Sequence, residues 1–217
     1  RLAKPVLTIA GVAPLWQEWK LLLSFGLAFM LSMFAAQIGH LAVRAIVQQQ
    51  MGADALGQFQ AAWSIGMMYL GFALGAMATD YYPRLSGVIH KPTEAVQLVN
   101  DQTEVVLLLC GPIIIALLGF APWVIWMLYS AEFTQSVNIL RWQLLGDILK
   151  LMSWPMGYIL MARGAGRALI ASELTISVIF VICVYLGLPL IGIEATGIAY
   201  LLMYMVHLPL MWVLGGR

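Results

Sequence analysis

The 217 residues are 62% apolar and 10% charged, with a formal net charge of +1 and a mean hydropathy of +0.91. A soluble domain is nearer half apolar, so this composition describes a membrane protein. The basic residues are dispersed without a polybasic run, which excludes nucleic acid or an anionic lipid surface as the main partner.

The first twenty residues lack the order of a cleavable signal, and residue 1 is arginine rather than methionine. The expectation is therefore a piece of a longer chain. Residues 1–20 read as a cytoplasmic or interfacial lead-in and 21–214 as a six-helix transmembrane lobe. A span needs about 20 mainly apolar residues, and six stretches meet that length, at about 21–47, 56–80, 104–128, 136–161, 168–188 and 195–214.

In the first span Gln37, His40, Arg44 and Gln48 are spaced three, four and four apart, with Met30 and Met33 continuing the line. At about 100° per residue this is one face, predicted to meet the bundle interior or water, because lipid cannot satisfy such groups. His40 alone also reads as a packing histidine, and Arg44 as a headgroup contact. The second span carries GFALG (71–75), with Gly66 before it, a pattern that permits close helix approach.

The longest connection, Tyr81 to Thr103, holds no room for a folded catalytic domain, and Pro92 suits a helix start. Cys110 and Cys183 fall within spans and read as small apolar groups. Pro112 and Pro155 interrupt the third and fourth spans, and Pro155 is either a hinge or a static kink.

The fourth span repeats the polar line. Gln143, Asp147, Lys150 and Trp154 are spaced four, three and four apart, and Tyr158 nearly extends them. Asp147 and Lys150 read either as a neutral intrahelical pair that tolerates burial or as functional charges. In the fifth span Glu173 lies one turn from the edge, where a salt bridge with Arg163 or Arg167 is the default.

Arg1, Lys4, Lys20, Arg84, Lys91, Arg163, Arg167 and Arg217 fall on one side if six helices alternate, which predicts that both ends are cytoplasmic. Trp16, Trp19, Trp123, Trp126, Tyr129 and Trp212 lie near span ends, as interfacial belts require. No phosphate loop, HExxH, GxSxG or clustered Cys and His ligands occur, so the expectation is a non-enzyme without cofactor or metal.

The run RWQLLGDILKLMSWPMGYILMARGAGRALIASEL, from Arg141, resembles the Wzx-type polysaccharide and O-antigen (lipid III-like) flippases through Trp142, Gln143, Gly146, Asp147, Lys150, Gly157, Tyr158, Ala162 and Glu173. Upstream, LGQFQAAWSIGMMYLGFALGAMATDYYPRLSG is similar to that family's stretch leading to Pro83-Arg84-Leu85-Ser86. The resemblance implies an all-α membrane protein of the multidrug/oligosaccharidyl-lipid/polysaccharide exporter superfamily. Its six transmembrane helices would form one lobe of a two-lobe MATE-like fold, the other being a missing N-terminal lobe.

The implied activity moves an undecaprenyl-pyrophosphate-linked oligosaccharide between leaflets of the bacterial inner membrane for O-antigen or lipopolysaccharide synthesis. Membrane lipid surrounds the protein, and glycan polymerase and chain-length proteins are candidate assembly partners. On that implication Lys150 and Arg44 contact phosphates, with Gln37, Gln143 and Trp154 on sugars and His40 in the cavity wall. Asp147 would position Lys150 or take up a coupling H+ or Na+, and Glu173 is a second coupling candidate. The alternatives are a drug/cation antiporter of the same superfamily, which predicts an acidic cavity, a membrane-embedded glycan polymerase or ligase, and a non-transporting assembly partner.

Overall fold

Gly52 makes the first turn. At φ 86° and ψ −179° it adopts a conformation that side chains resist, and it divides α1 (Val12–Ala76) into two arms. The arms fold back on each other, since His40 meets Trp63 and Arg44 meets Gln60, pairs centred on Gly52. The computed structural model describes residues 12–216. After α1 come a π-helical turn (Met77–Tyr81), α2 (Tyr82–Val88), α3 (Pro92–Leu128), α4 (Thr134–Ala162) and α5 (Gly166–Ile191). A 3-10 turn (Gly192–Glu194) then leads into α6 (Ala195–Gly216).

No strand occurs among the described residues. Helices satisfy every backbone polar group within one segment, which is what a hydrocarbon solvent demands. Outward-facing side chains fit that solvent: Phe72 and Leu190 are each 80% exposed, a distribution that water would punish. Three stretches, Phe29–Val88, Pro92–Leu128 and Gly166–Gly215, are long and apolar enough to cross a membrane. The first contains the Gly52 bend, and the third contains the turn at Gly192, whose φ is 67°. Helix α4 is outside these three because its composition, with Arg141, Asp147 and Lys150, is less apolar.

Three hydrogen bonds set the register of the second arm of α1, and of the π-helical turn that continues it, against α4. Gln58 accepts from the Ser136 backbone N–H at 3.0 Å, Tyr69 donates to Asp147, and Tyr81 donates to the Pro155 carbonyl at 3.0 Å. The nearly constant offset means the two helices run parallel. Helix α6 also runs parallel to α4, its most extensive partner. Gly197 abuts Ile139, Gly146 abuts Tyr200, and Gly215 faces Ile159. The first arm of α1 packs against α5, with Gly39 on Ser177.

Close approach therefore occurs at Gly39, Gly146 and Gly197, where an added Cβ would meet neighbours at 2.8, 2.6 and 2.7 Å. The GFALG stretch does not serve this purpose. Gly71 and Gly75 are exposed, and a Cβ there would meet nothing within 4 Å. Helix α3 starts at Pro92, the position expected of it. Helix α1 is already regular from Val12, so residues 12–20 are helical, while residues 1–11 lie outside the described part. Cys110 and Cys183 are free thiols.

Candidate functional site

The polar stripe of α4 points into the most enclosed part of the molecule. Asp147 is 1% exposed and Lys150 6%. Asp147 receives hydroxyl donors from both sides, Tyr69 on Oδ2 at 2.5 Å and Tyr200 on Oδ1 at 2.7 Å. A Cβ on Gly66 would lie 3.6 Å from Oδ2, in ordinary van der Waals contact. The Lys150 ammonium donates to the Tyr200 hydroxyl at 3.4 Å. It also lies 5.6 Å from the ring centroid of Trp154, 5.9 Å from Tyr200 and 5.7 Å from Tyr204.

The two charges are thus not a direct intrahelical pair. No oxygen–nitrogen contact within salt-bridge distance joins them among the described residues. Tyr200, from α6, stands between and serves both, donating to the carboxylate and accepting from the ammonium. An aspartate and a lysine three apart on a buried helix need outside groups to satisfy their remaining donor and acceptor positions, and α1 and α6 supply them. Gln143, one turn away, is 2% exposed, and both its amide atoms are unpartnered among the described residues.

The stripe of α1 has a different surrounding. Gln37 and Gln48 are exposed, and His40 and Arg44 are half-buried. Met30 and Met33, which continue the line, are 56% and 48% exposed, so this face is not a buried seam. The His40 ring lies 4.2 Å from Trp63 and 5.8 Å from Phe59, with Nε2 buried and unpartnered among the described residues. With the Gln60 amide turned so that its oxygen faces Arg44, the orientation its neighbours require, the guanidinium donates to it from Nε and Nη2. Among the described residues no carboxylate pairs with Arg44.

A cavity of about 230 Å3 opens between α1, α4, α5 and α6, in the half of the bundle where α1 begins and α6 ends. Trp154, Tyr158, Tyr82, Ser153, Glu173 and His207 are among its walls. Lys150 and Asp147 are not among its walls, whereas Trp154, whose ring centroid lies 5.6 Å from the Lys150 ammonium, is. The salt bridge expected of Glu173 is absent among the described residues: neither Arg163 nor Arg167 pairs with it. Arg163 instead donates to the Gly215 carbonyl at 3.0 Å.

His207 was not among the residues the sequence singled out. Its signal was available in Tyr200, Tyr204 and His207, spaced four and three apart on α6, the mirror of the α4 pattern that they meet. No group of three or more His, Cys, Asp or Glu able to hold a metal occurs among the described residues.

Comparisons with known proteins agree with this architecture. Over 212 residues the chain is 24% identical to lipid III flippases of Escherichia coli (strain K12) and Shigella flexneri, covering 94% of this chain and 50% of theirs. It thus spans about half the length of these curated relatives. The crystal structure of a MATE point mutant superposes with a TM-score of 0.80 at 16% identity, over 88% of this chain and 44% of that one. At that identity the likeness shows the fold alone, an all-helical arrangement shared with part of that MATE chain. The flippase resemblance read from the fourth span is thereby borne out. A family model described as polysaccharide biosynthesis protein matches residues 9–138, more than half of the chain, and the chain belongs to that family.

Proposed function

We propose that the protein is a flippase carrying a lipid-linked oligosaccharide from the cytoplasmic to the periplasmic leaflet of a bacterial inner membrane. On this reading all six long helices cross the bilayer with both ends cytoplasmic, and this lobe forms one wall of the passage. The reading draws on the family membership and on the lipid III flippases that the chain resembles over nearly all its length.

One observation carries it: Arg44. A guanidinium at membrane depth normally has a carboxylate partner, yet Arg44 has only the neutral Gln60 among the described residues. It shares its face with the exposed amides of Gln37 and Gln48. That face offers a fork of donors for a phosphate and amides for sugar hydroxyls, while a polyprenyl tail stays in lipid. Lys150 is reassigned from phosphate contact to clamping α4 against α6, because its charge is already matched through Tyr200 and shielded by rings. Trp154 remains a sugar-stacking candidate through the cavity, and Gln143 one that opens only if α4 and α6 part. Rocking of this lobe against another would alternate access. Coupling to H+ or Na+ would fall to Asp147 or Glu173.

The test is Arg44→Ala in the intact protein, expressed at normal level in a strain lacking its own flippase. Surface glycan should fall to a few per cent while the unfolding midpoint stays unchanged, and Arg44→Lys should restore part of the delivery. Normal delivery by Arg44→Ala removes Arg44 from the passage.

A further inference from the structure

A groove of about 490 Å3 lies on the flank formed by α3, α4 and α6, at the end of the bundle where α3 begins and the other two finish. Val99, Ile159 and Met211, all buried, line it together with Val96 and Trp212, which are 58% and 71% exposed. Apart from Asn100 and the Trp212 indole, its described walls are apolar.

A positive charge is fixed at one edge of this groove. Arg163, exposed, is the residue on which α4 ends, and its Nη1 donates at 3.0 Å to the carbonyl of Gly215, itself a groove wall. A guanidinium carries several N–H donors in a planar fork, so this bond anchors the group while leaving further donors to be matched. No carboxylate lies within salt-bridge distance of Arg163 among the described residues. Glu94 and Asp101, on the α3 turns that border the groove, line a separate hollow with Arg84.

These features select a class of ligand. An apolar groove on the flank of a membrane helix bundle is open to acyl chains, and each buried CH2 contributes about 0.8 kcal/mol. The volume of about 490 Å3 falls within the ~300–1,000 Å3 of ligand sites. Trp212 lies one turn from the end of α6, the level at which interfacial tryptophans sit, so the Arg163 edge stands among headgroups. A phosphodiester there accepts from the guanidinium fork. A soluble anion would leave the apolar walls bare, and an uncharged lipid would leave Arg163 without a counter-charge.

We propose that this groove binds an anionic glycerophospholipid, with its phosphodiester on the Arg163 guanidinium and an acyl chain along Val96, Ile159 and Trp212. The site is separate from the Arg44 face and does not rest on the flippase reading.

The purified intact protein in detergent is titrated with dioctanoyl phosphatidylglycerol, with dioctanoyl phosphatidylcholine and with inorganic phosphate. Native mass spectrometry counts the molecules retained, and the unfolding midpoint is followed alongside. Saturable retention of phosphatidylglycerol is expected at concentrations where phosphatidylcholine and phosphate are lost. Arg163→Gln keeps an N–H donor for the Gly215 carbonyl but removes the charge. It should leave the midpoint unchanged and weaken the affinity for one retained phosphatidylglycerol by roughly tenfold, as loss of a charge-assisted hydrogen bond implies. Val96→Trp supplies an independent variant, because it fills the groove from an exposed position and removes no polar group. This variant should fold and retain one phosphatidylglycerol fewer. Equal retention of the two lipids overturns the proposal, as does phosphate binding as tightly as phosphatidylglycerol. Undiminished affinity in either folded variant overturns it too, as does a dimer of this chain that forms in place of the lipid complex.

Discussion

The stripes of α1 and α4 both follow helical spacing, three, four and four apart in the one and four, three and four in the other, yet they end in opposite surroundings. Gln143, Asp147 and Lys150 are enclosed on all sides by α1 and α6, whereas Gln37 and Gln48 are exposed and flank a half-buried Arg44. Helical periodicity shows that polar groups share a face, but what the face meets is decided by other helices. In α4 the facing helices bring hydroxyls and rings, Tyr69, Tyr200 and Tyr204, which complete the charges internally. In α1 the facing arm brings Gln60 and Trp63, which leave a positive charge unneutralised. The enclosed stripe therefore holds the lobe together, and the half-open one is free to meet a ligand.

The largest effect should come from breaking the enclosed stripe on one side only. Lys150→Ala strips Asp147 of its basic neighbour in a sealed compartment, and removing one member of a buried charge pair costs about 3–5 kcal/mol. The unfolding midpoint should fall steeply and the expressed level with it. The double variant Asp147→Asn with Lys150→Met removes both charges and should recover most of that loss. Arg44→Ala, by contrast, should leave the midpoint where it was. If Lys150→Ala instead unfolds like the unmodified protein while glycan delivery stops, Lys150 acts on substrate and the contrast between the stripes collapses.

Much of this was legible in the chain itself. The apolar stretches lie on long helices among the described residues, the start at Pro92 was signalled by proline chemistry, and the α4 stripe was evident from its spacing. Its partners were not, because Tyr69 lies 78 residues before Asp147 and Tyr200 lies 53 after it, and no local pattern links them. The same limit hid the destination of Glu173. A neighbouring arginine in sequence suggested a salt bridge, but the turn after α4 sends Arg163 to the Gly215 carbonyl. His207 was overlooked because a single histidine in an apolar helix carries no weight until its face is known.

A second break concerns how closely α4 and α6 must meet for Tyr200 to serve both charges. A Cβ on Gly197 would lie 2.7 Å from the Ile139 carbonyl oxygen and 2.8 Å from Trp142 Cβ. The carbonyl belongs to the backbone and cannot swing aside. Gly197→Ala should therefore push the helices apart at a cost of about 1–3 kcal/mol. It should also weaken the coupling between Asp147 and Lys150, seen as a smaller interaction energy in the double-mutant cycle of the previous comparison. An unshifted cycle would mean that the relay through Tyr200 tolerates a wider spacing than this close packing implies.

The smallest effect should have the opposite sign and comes from the glycines that sequence patterning chose wrongly. Gly71 is exposed, helical and clear of any neighbour within 4 Å of an added Cβ. An alanine there fills no contact and restricts the unfolded chain, so Gly71→Ala should stabilise by about 0.5–1 kcal/mol. The pair Gly71→Ala and Gly197→Ala puts one methyl group at two glycines of the same lobe and asks which helix seams are under pressure. If both destabilise equally, the second arm of α1 has a packing partner on its Gly71 face in the intact protein. A small-residue face left open here, on an arm that also presents Phe72 outward, is where such a partner would have to sit.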